Sequence, residues 1–190
     1  IFSLFHSLSA FCNAGFSNIE GGLSNPALLH SNQSVYIVAS VLIAAGGIGF
    51  PILMNVAQAT KMHLRALWHR IRRDGPRRLP IHIYDLNTKI VVATTGWIFA
   101  VSATLFLLFE YDNTLSGMTA YEKVVQSVFN AWVPRSSGFS SVNPASMLNI
   151  TLLMFVVLMW IGGGSQSTAG GIKVNTFAAM LLNLKAIVAG

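Results

Sequence analysis

The chain has 190 residues, 53% hydrophobic and only 9% charged, against about a quarter charged in a soluble domain, so its composition is that of a membrane protein. The net charge of +6 does not point to nucleic acid. Seven of the twelve basic residues fall in one segment, Lys61, Arg65, Arg70, Arg72, Arg73, Arg77 and Arg78, and aromatics interleaved for base stacking are lacking there.

The first residues, 1–12 (IFSLFHSLSAFC), are apolar but too short to span. A polar, glycine-containing stretch, 13–33, follows. Residues 34–56 read as a full span inside a charge-free run that reaches from Glu20 to Lys61. The basic segment comes next, with a helical start and a Gly75-Pro76 break; a basic loop between spans marks the cytoplasmic side. Residues 87–109 read as a second span, 110–119 as a polar outer turn, and 121–133 as another short apolar segment. The pattern repeats: polar 134–146, apolar 147–161, a glycine-rich stretch, then apolar 174–189. Cys12 is the single cysteine, which excludes an intramolecular disulfide. There is no signal-peptide pattern, and the chain opens and closes inside apolar patterns, as expected of a piece of a longer protein.

Short segment, polar turn and long span thus occur twice, and the residues support a repeat. Gly15-Phe16-Ser17-Asn18-Ile19 resembles Gly138-Phe139-Ser140-Ser141-Val142, and Asn25-Pro26-Ala27 recurs as Asn143-Pro144-Ala145. Ser9 to Ala14 resembles Ser127 to Ala131 with one residue fewer. Val41-Leu42-Ile43-Ala44-Ala45-Gly46-Gly47 matches Val157-Leu158-Met159-Trp160-Ile161-Gly162-Gly163. After its glycine pair the second copy carries GSQSTAGG where the first continues as IGFPILMN, so the glycine-rich stretch is expected in one repeat only.

A short helix that enters a membrane and returns as a polar loop is a pore loop. Non-helical backbone at that depth must be buried in protein or line water. Gly15 and Gly138 can adopt the backbone angles that turn carbonyls toward an axis, and rings of carbonyls replace a cation's hydration shell. The C-terminus of each short helix adds partial negative charge. The stretch Gly162-Gly163-Gly164-Ser165-Gln166-Ser167-Thr168-Ala169-Gly170-Gly171 has five glycines, each costing about 1 kcal/mol in a helix. It reads as a break in the inner helix: a mobile element of low local stability or a fixed kink. Lys173 beyond it has three readings: repelling cations, pairing with a carbonyl, or snorkelling to the cytoplasmic face.

The segments FHSLSAFCNAGFS (5–17), PRSSGFSSV (134–142) and GGGSQSTAGGIKVNTF (162–177) resemble the Trk/Ktr family of potassium-uptake membrane subunits. The resemblance implies an all-α integral membrane fold built from repeated helix–pore-loop–helix modules in pseudo-fourfold array, here partial. Residues 1–56 would be the second-module pore helix, filter loop and inner helix, 57–86 a cytoplasmic connection, and 87–190 the third module. It implies a selectivity filter at Asn13, Ala14, Gly15 and Phe16 with Ser136, Ser137, Gly138 and Phe139, and a gate at 162–171 with Lys173. Where the family has Arg-Thr-Ala-Gly-Phe, this chain has Arg135-Ser136-Ser137-Gly138-Phe139, an exchange of small residues. The transported ion would be potassium, bound by filter carbonyls, with no other cofactor. The implied partners are the lipid bilayer, a soluble nucleotide-binding regulatory ring and a second copy in a homodimer, in a bacterial plasma membrane.

Rival motifs fail. Ile172 separates Gly171 from Lys173, which breaks a phosphate-binding loop, and Gly47-Ile48-Gly49 lacks the third glycine of a dinucleotide fingerprint. His6, His30, His63, His69 and His82 show no metal-ligand spacing and read as loop and interface residues. An enzyme would need paired polar catalytic groups in the spans, and none is found. The alternative is a sodium, or mixed potassium and sodium, secondary transporter, which broken helices also suit; the spans lack the acids that coupling usually employs.

Overall fold

The computed structural model describes residues 2–71 and 85–189. Eight α-helices account for most of them: α1 (Phe2–Phe11), α2 (Pro26–Ser31), α3 (Gln33–Ile48), α4 (Phe50–Ile71), α5 (Leu86–Glu110), α6 (Ala120–Trp132), α7 (Asn149–Trp160) and α8 (Val174–Ala189). Among the described residues there are no strands, only an isolated parallel bridge between Ile161 and Ile172.

Local sequence explains the short helices. The ten residues of α1 reach about 15 Å at 1.5 Å per residue, half the hydrocarbon thickness of about 30 Å. Helix α6 starts with a capping box. The Thr119 hydroxyl accepts from the Glu122 N–H, and the Glu122 carboxylate accepts from the Thr119 N–H at 2.8 Å. Two of the four orphan donors at that end are thereby satisfied.

Among the described residues only α5 is by itself long and apolar enough to cross a membrane. The expected span over 34–56 is not continuous: Gly49 (φ +101°) separates α3 from α4, and the two are bent by 109°. The break falls at a residue that must be glycine: its φ is left-handed, and a Cβ on Gly49 would lie 2.5 Å from the carbonyl oxygen of Ser165. The glycine-rich stretch of the second repeat lies against the break, with the Ser165 and Gln166 backbone beside Gly49. Both inner helices are therefore broken, the first at a single residue and the second over a loop, and the charge-free run from Arg135 to Lys173 holds no continuous span either. Helix α4 also runs on to Ile71, well into the segment read as a connection. Its sequence from Ala57 is rich in Ala, Gln, Lys, Met, Leu and Arg, all good helix formers. Arg72, Arg73, Arg77, Arg78, His82 and the Gly75-Pro76 break lie outside the described residues.

Helix α3 packs against α1 and α6, while α5 packs against α6, α7 and α8. The first contact centres on Tyr36 and Phe129, edge to face at 5.2 Å, with Ala10 and Phe139. The second stacks Phe106 on Phe155 at 5.9 Å. Beside these apolar cores, many polar side chains lie inside and many large apolar ones outside. Glu110, Gln126, Asn130, Ser137 and Thr151 are wholly buried, whereas Trp97, Leu108, Trp160 and Val188 are exposed. Such a surface suits lipid. In that solvent helix association rests on packing and hydrogen bonds rather than on apolar burial.

Candidate functional site

The two glycine loops share one backbone pattern. In the first, Asn13 (φ +51°) and Gly15 (φ +73°) are left-handed; in the second, Ser136 (φ +73°) and Gly138 (φ +71°) are. Ala14 and Ser137 between them are not. Left-handed non-glycine residues are uncommon, and two at matched positions mark a built conformation. Alternation of handedness along a chain turns successive carbonyls toward one side. The loops meet at their glycines: a Cβ on Gly15 would lie 2.5 Å from Gly138 Cα, and one on Gly138 would lie 3.1 Å from Gly15 Cα. The aromatic neighbours differ. Phe139 is buried in the α1–α3–α6 core, whereas Phe16 is 70% exposed.

The stretch 162–171 forms a loop with a closed neck. Gly162 N–H donates to the Ile172 carbonyl, and Ile172 N–H donates to the Trp160 carbonyl, each at 2.9 Å. A Cβ on Gly162 would lie 1.6 Å from the Gly170 oxygen, so the neck admits only glycine. The loop body leans on the end of α3. Gly164 N–H donates to the Gly47 carbonyl at 2.8 Å and Thr168 N–H to the Gly46 carbonyl at 3.3 Å. Of the glycine pairs that the repeat matched in sequence, Gly163 and Gly47 touch: a Cβ on Gly163 would lie 2.4 Å from the Gly47 carbonyl oxygen.

The same stretch is bonded to both glycine loops. Asn13 Nδ2 donates to Thr168 Oγ1 at 2.7 Å, and Gly170 N–H donates to Ser136 Oγ at 3.0 Å. Buried Arg135 sends Nη2 to the Gly162 carbonyl at 2.7 Å and Nε to that of Ile161 at 3.4 Å. Lys173 Nζ donates to the Ala169 carbonyl at 2.7 Å, which favours carbonyl pairing among its three readings. Gln166 (φ +58°) lies exposed at the tip with Ser165 and Ser167 on either side.

Residues that sequence reasoning placed elsewhere also matter. Glu110, read as an outer-turn residue, is wholly buried. Its carboxylate accepts from Leu148 N–H, Thr151 Oγ1, Asn113 Nδ2, and both N–H and Oγ1 of Thr114. It ties the end of α5 to the start of α7, where Leu148 has no side-chain cap of its own. His6, read as a loop or interface residue, is buried on α1. A signal for Glu110 existed in its position, the last residue of an apolar span; nothing in the sequence named its partners.

A sequence model of the TrkH cation transport protein family matches residues 2–189. The chain is 32% identical over 192 residues to the potassium/sodium uptake protein NtpJ of Enterococcus hirae, with 100% of this chain and 37% of that protein covered. It is 32% identical over 194 residues to the Ktr system potassium uptake protein B of Bacillus subtilis, with 99% and 38% covered. Among solved structures, the potassium transporter TrkH of Vibrio parahaemolyticus superposes with a TM-score of 0.66 at 18% identity, covering 99% of this chain and 35% of that one. The chain therefore spans less than two fifths of these relatives, and its fold is that of an all-helical membrane protein of repeated modules. Matched over nearly its whole length, the chain belongs to the TrkH cation transport protein family.

Proposed function

We propose that this chain forms part of a potassium uptake pathway across a bacterial plasma membrane. The cation sheds water and is held by backbone carbonyls of the two loops, at Asn13, Ala14 and Gly15 and at Ser136, Ser137, Gly138 and Phe139; the Phe16 carbonyl is taken by the Ser9 hydroxyl at 2.8 Å. The carrying observation is the matched left-handed pattern of the two loops, which meet glycine to glycine. In this reading 1–56 belongs to a second module and 87–190 to a third, with further modules closing the ring. Residues 57–86 face the cytoplasm, where a soluble nucleotide-binding ring meets them, and the full-length protein pairs as a homodimer.

The stretch 162–171 is the gate. Its support is the direct bonding of Thr168 and Gly170 to filter residues, through which a shift of the loop alters the filter. Potassium uptake is also what the names of the Ktr relatives state. Sodium coupling is the weaker reading. The buried acid at the end of α5, Glu110, has both carboxylate oxygens occupied by donors, which leaves it poorly placed to bind a coupling ion.

The test is ion flux. The full-length protein is reconstituted in liposomes, and potassium and sodium uptake are compared for wild type and Gly138→Ser. Potassium-selective flux that loses selectivity in the variant supports the carbonyl filter. Sodium-only flux indifferent to Gly138 moves the function to another ion.

A further inference from the structure

Behind each glycine loop stands a buried polar side chain of the short helix before it that bonds forward to a serine beyond the glycine. On α1 it is His6. Nδ1 lies 3.0 Å from the Phe2 carbonyl, four residues back, and Nε2 lies 2.8 Å from Ser17 Oγ, eleven residues on. A carbonyl can only accept, so Nδ1 donates. In the neutral ring Nε2 then accepts from the Ser17 hydroxyl, whose oxygen accepts in turn from Ile19 N–H at 3.2 Å. On α6 the residue is Asn130. Its Nδ2 donates at 2.8 Å to the Gln126 carbonyl, four residues back, and at 2.8 Å to Ser141 Oγ, eleven residues on.

The two side chains are chemically unlike, yet their partners are the same: the carbonyl at minus four and a serine hydroxyl at plus eleven. The spacing is kept across a shift in register. His6 stands nine residues before Gly15 and Asn130 eight before Gly138, while Ser17 stands two residues after its glycine and Ser141 three, so the two pairs are not aligned positions of the repeat. What the two loops share is the bonding pattern rather than the aligned residue. Further contacts point the same way. Ser9, one turn after His6, donates to the Phe16 carbonyl at 2.8 Å. The His6 ring also stacks on Phe139 of the other loop, with centroids 6.4 Å apart and planes 21° apart, so His6 touches both loops.

We propose that His6–Ser17 and Asn130–Ser141 are matched struts, one behind each glycine loop, that set how far the loop carbonyls stand from the ion and so determine cation selectivity. The proposal rests on the carbonyl-filter reading above. These four are positioning residues; none touches the ion.

The test uses the full-length protein in liposomes, with potassium and sodium uptake measured on the same vesicles. Their ratio does not depend on how much protein inserts. Ser17→Ala and Ser141→Ala should each lower the potassium-to-sodium ratio roughly fivefold, the scale of one lost hydrogen bond. Ser17→Thr and Ser141→Thr keep the hydroxyl and should hold the ratio within about twofold of wild type. His6→Phe added to Ser17→Ala should lower it no further, because the two act through one bond. Alanine variants with wild-type ratios, alongside a Gly138→Ser that loses selectivity, would remove the struts and leave the filter standing. A wild type without selectivity, unchanged by Gly138→Ser, would overturn the filter reading and the struts with it.

Discussion

The Asn13 amide donates to the Thr168 hydroxyl at 2.7 Å, joining residues 155 positions apart. The same hydroxyl lies 3.4 Å from the Phe11 carbonyl at the end of α1, so Thr168 is held at the junction of short helix and glycine loop. If that bond keeps the stretch 162–171 in place, Asn13→Ala and Thr168→Val should each raise the initial rate of rubidium uptake about fivefold. The double variant should rise no further. Rates equal to wild type in both single variants would mean that another contact holds the gate.

The two glycines should not be equally sensitive. Each is left-handed, which costs about 1–2 kcal/mol for a side chain, but Gly15 also has Gly138 Cα 2.5 Å from its missing Cβ, against 3.1 Å in the reverse direction. Gly15→Ala should therefore reduce potassium selectivity more than Gly138→Ala, as read by reversal potentials. The opposite order would contradict the packing described at this contact.

Gly162 and Gly96 form a contrasting pair. A Cβ on Gly162 meets the Gly170 oxygen at 1.6 Å, while one on Gly96 in α5 meets nothing within 4 Å. Gly162→Ala should force the neck apart and raise unstimulated cation leak. Gly96→Ala should stabilise the protein by about 1 kcal/mol, measured as a higher melting temperature in detergent with leak unchanged. A quiet Gly162→Ala would show that the neck yields without opening the path.

Glu110→Gln replaces one acceptor oxygen with a donor facing the groups that now bond to it. The expected loss is about 2 kcal/mol, the scale of a charged buried hydrogen bond, seen as a lower melting temperature. The potassium-to-sodium ratio should stay at its wild-type value. A change in ratio without a change in melting would move Glu110 into the ion path.

Much of the architecture was legible in the residues. The repeat, the glycines at 15 and 138, the short helices before them and the break at 162–171 all rest on local signals: apolar length, glycine content and recurring small motifs. These depend on backbone preferences that a residue carries with it. The left-handed Asn13 and Ser136 were named as loop residues, yet their angles follow from the loop closing around Gly15 and Gly138, which the sequence does not display.

Other features depended on which segments meet. The charge-free run to Lys61 looked like one span, but helix propensity cannot register that the Ser165 carbonyl occupies the space beside Gly49. The helical start read for the basic segment is continuous with the helix before it, and α4 runs unbroken from Phe50 to Ile71. Glu110, His6 and Arg135 carry no motif that announces burial, because a polar side chain is tolerated inside only when partners from distant segments satisfy it. By itself the sequence determined the recurring short-segment, loop and apolar-helix pattern and the break at 162–171, since those are properties of short stretches, but not the bend at Gly49. The bond from Asn13 to Thr168, the contact of Gly47 with Gly163 and the donors around Glu110 were decided by the tertiary structure alone, because each joins groups that only packing brings together.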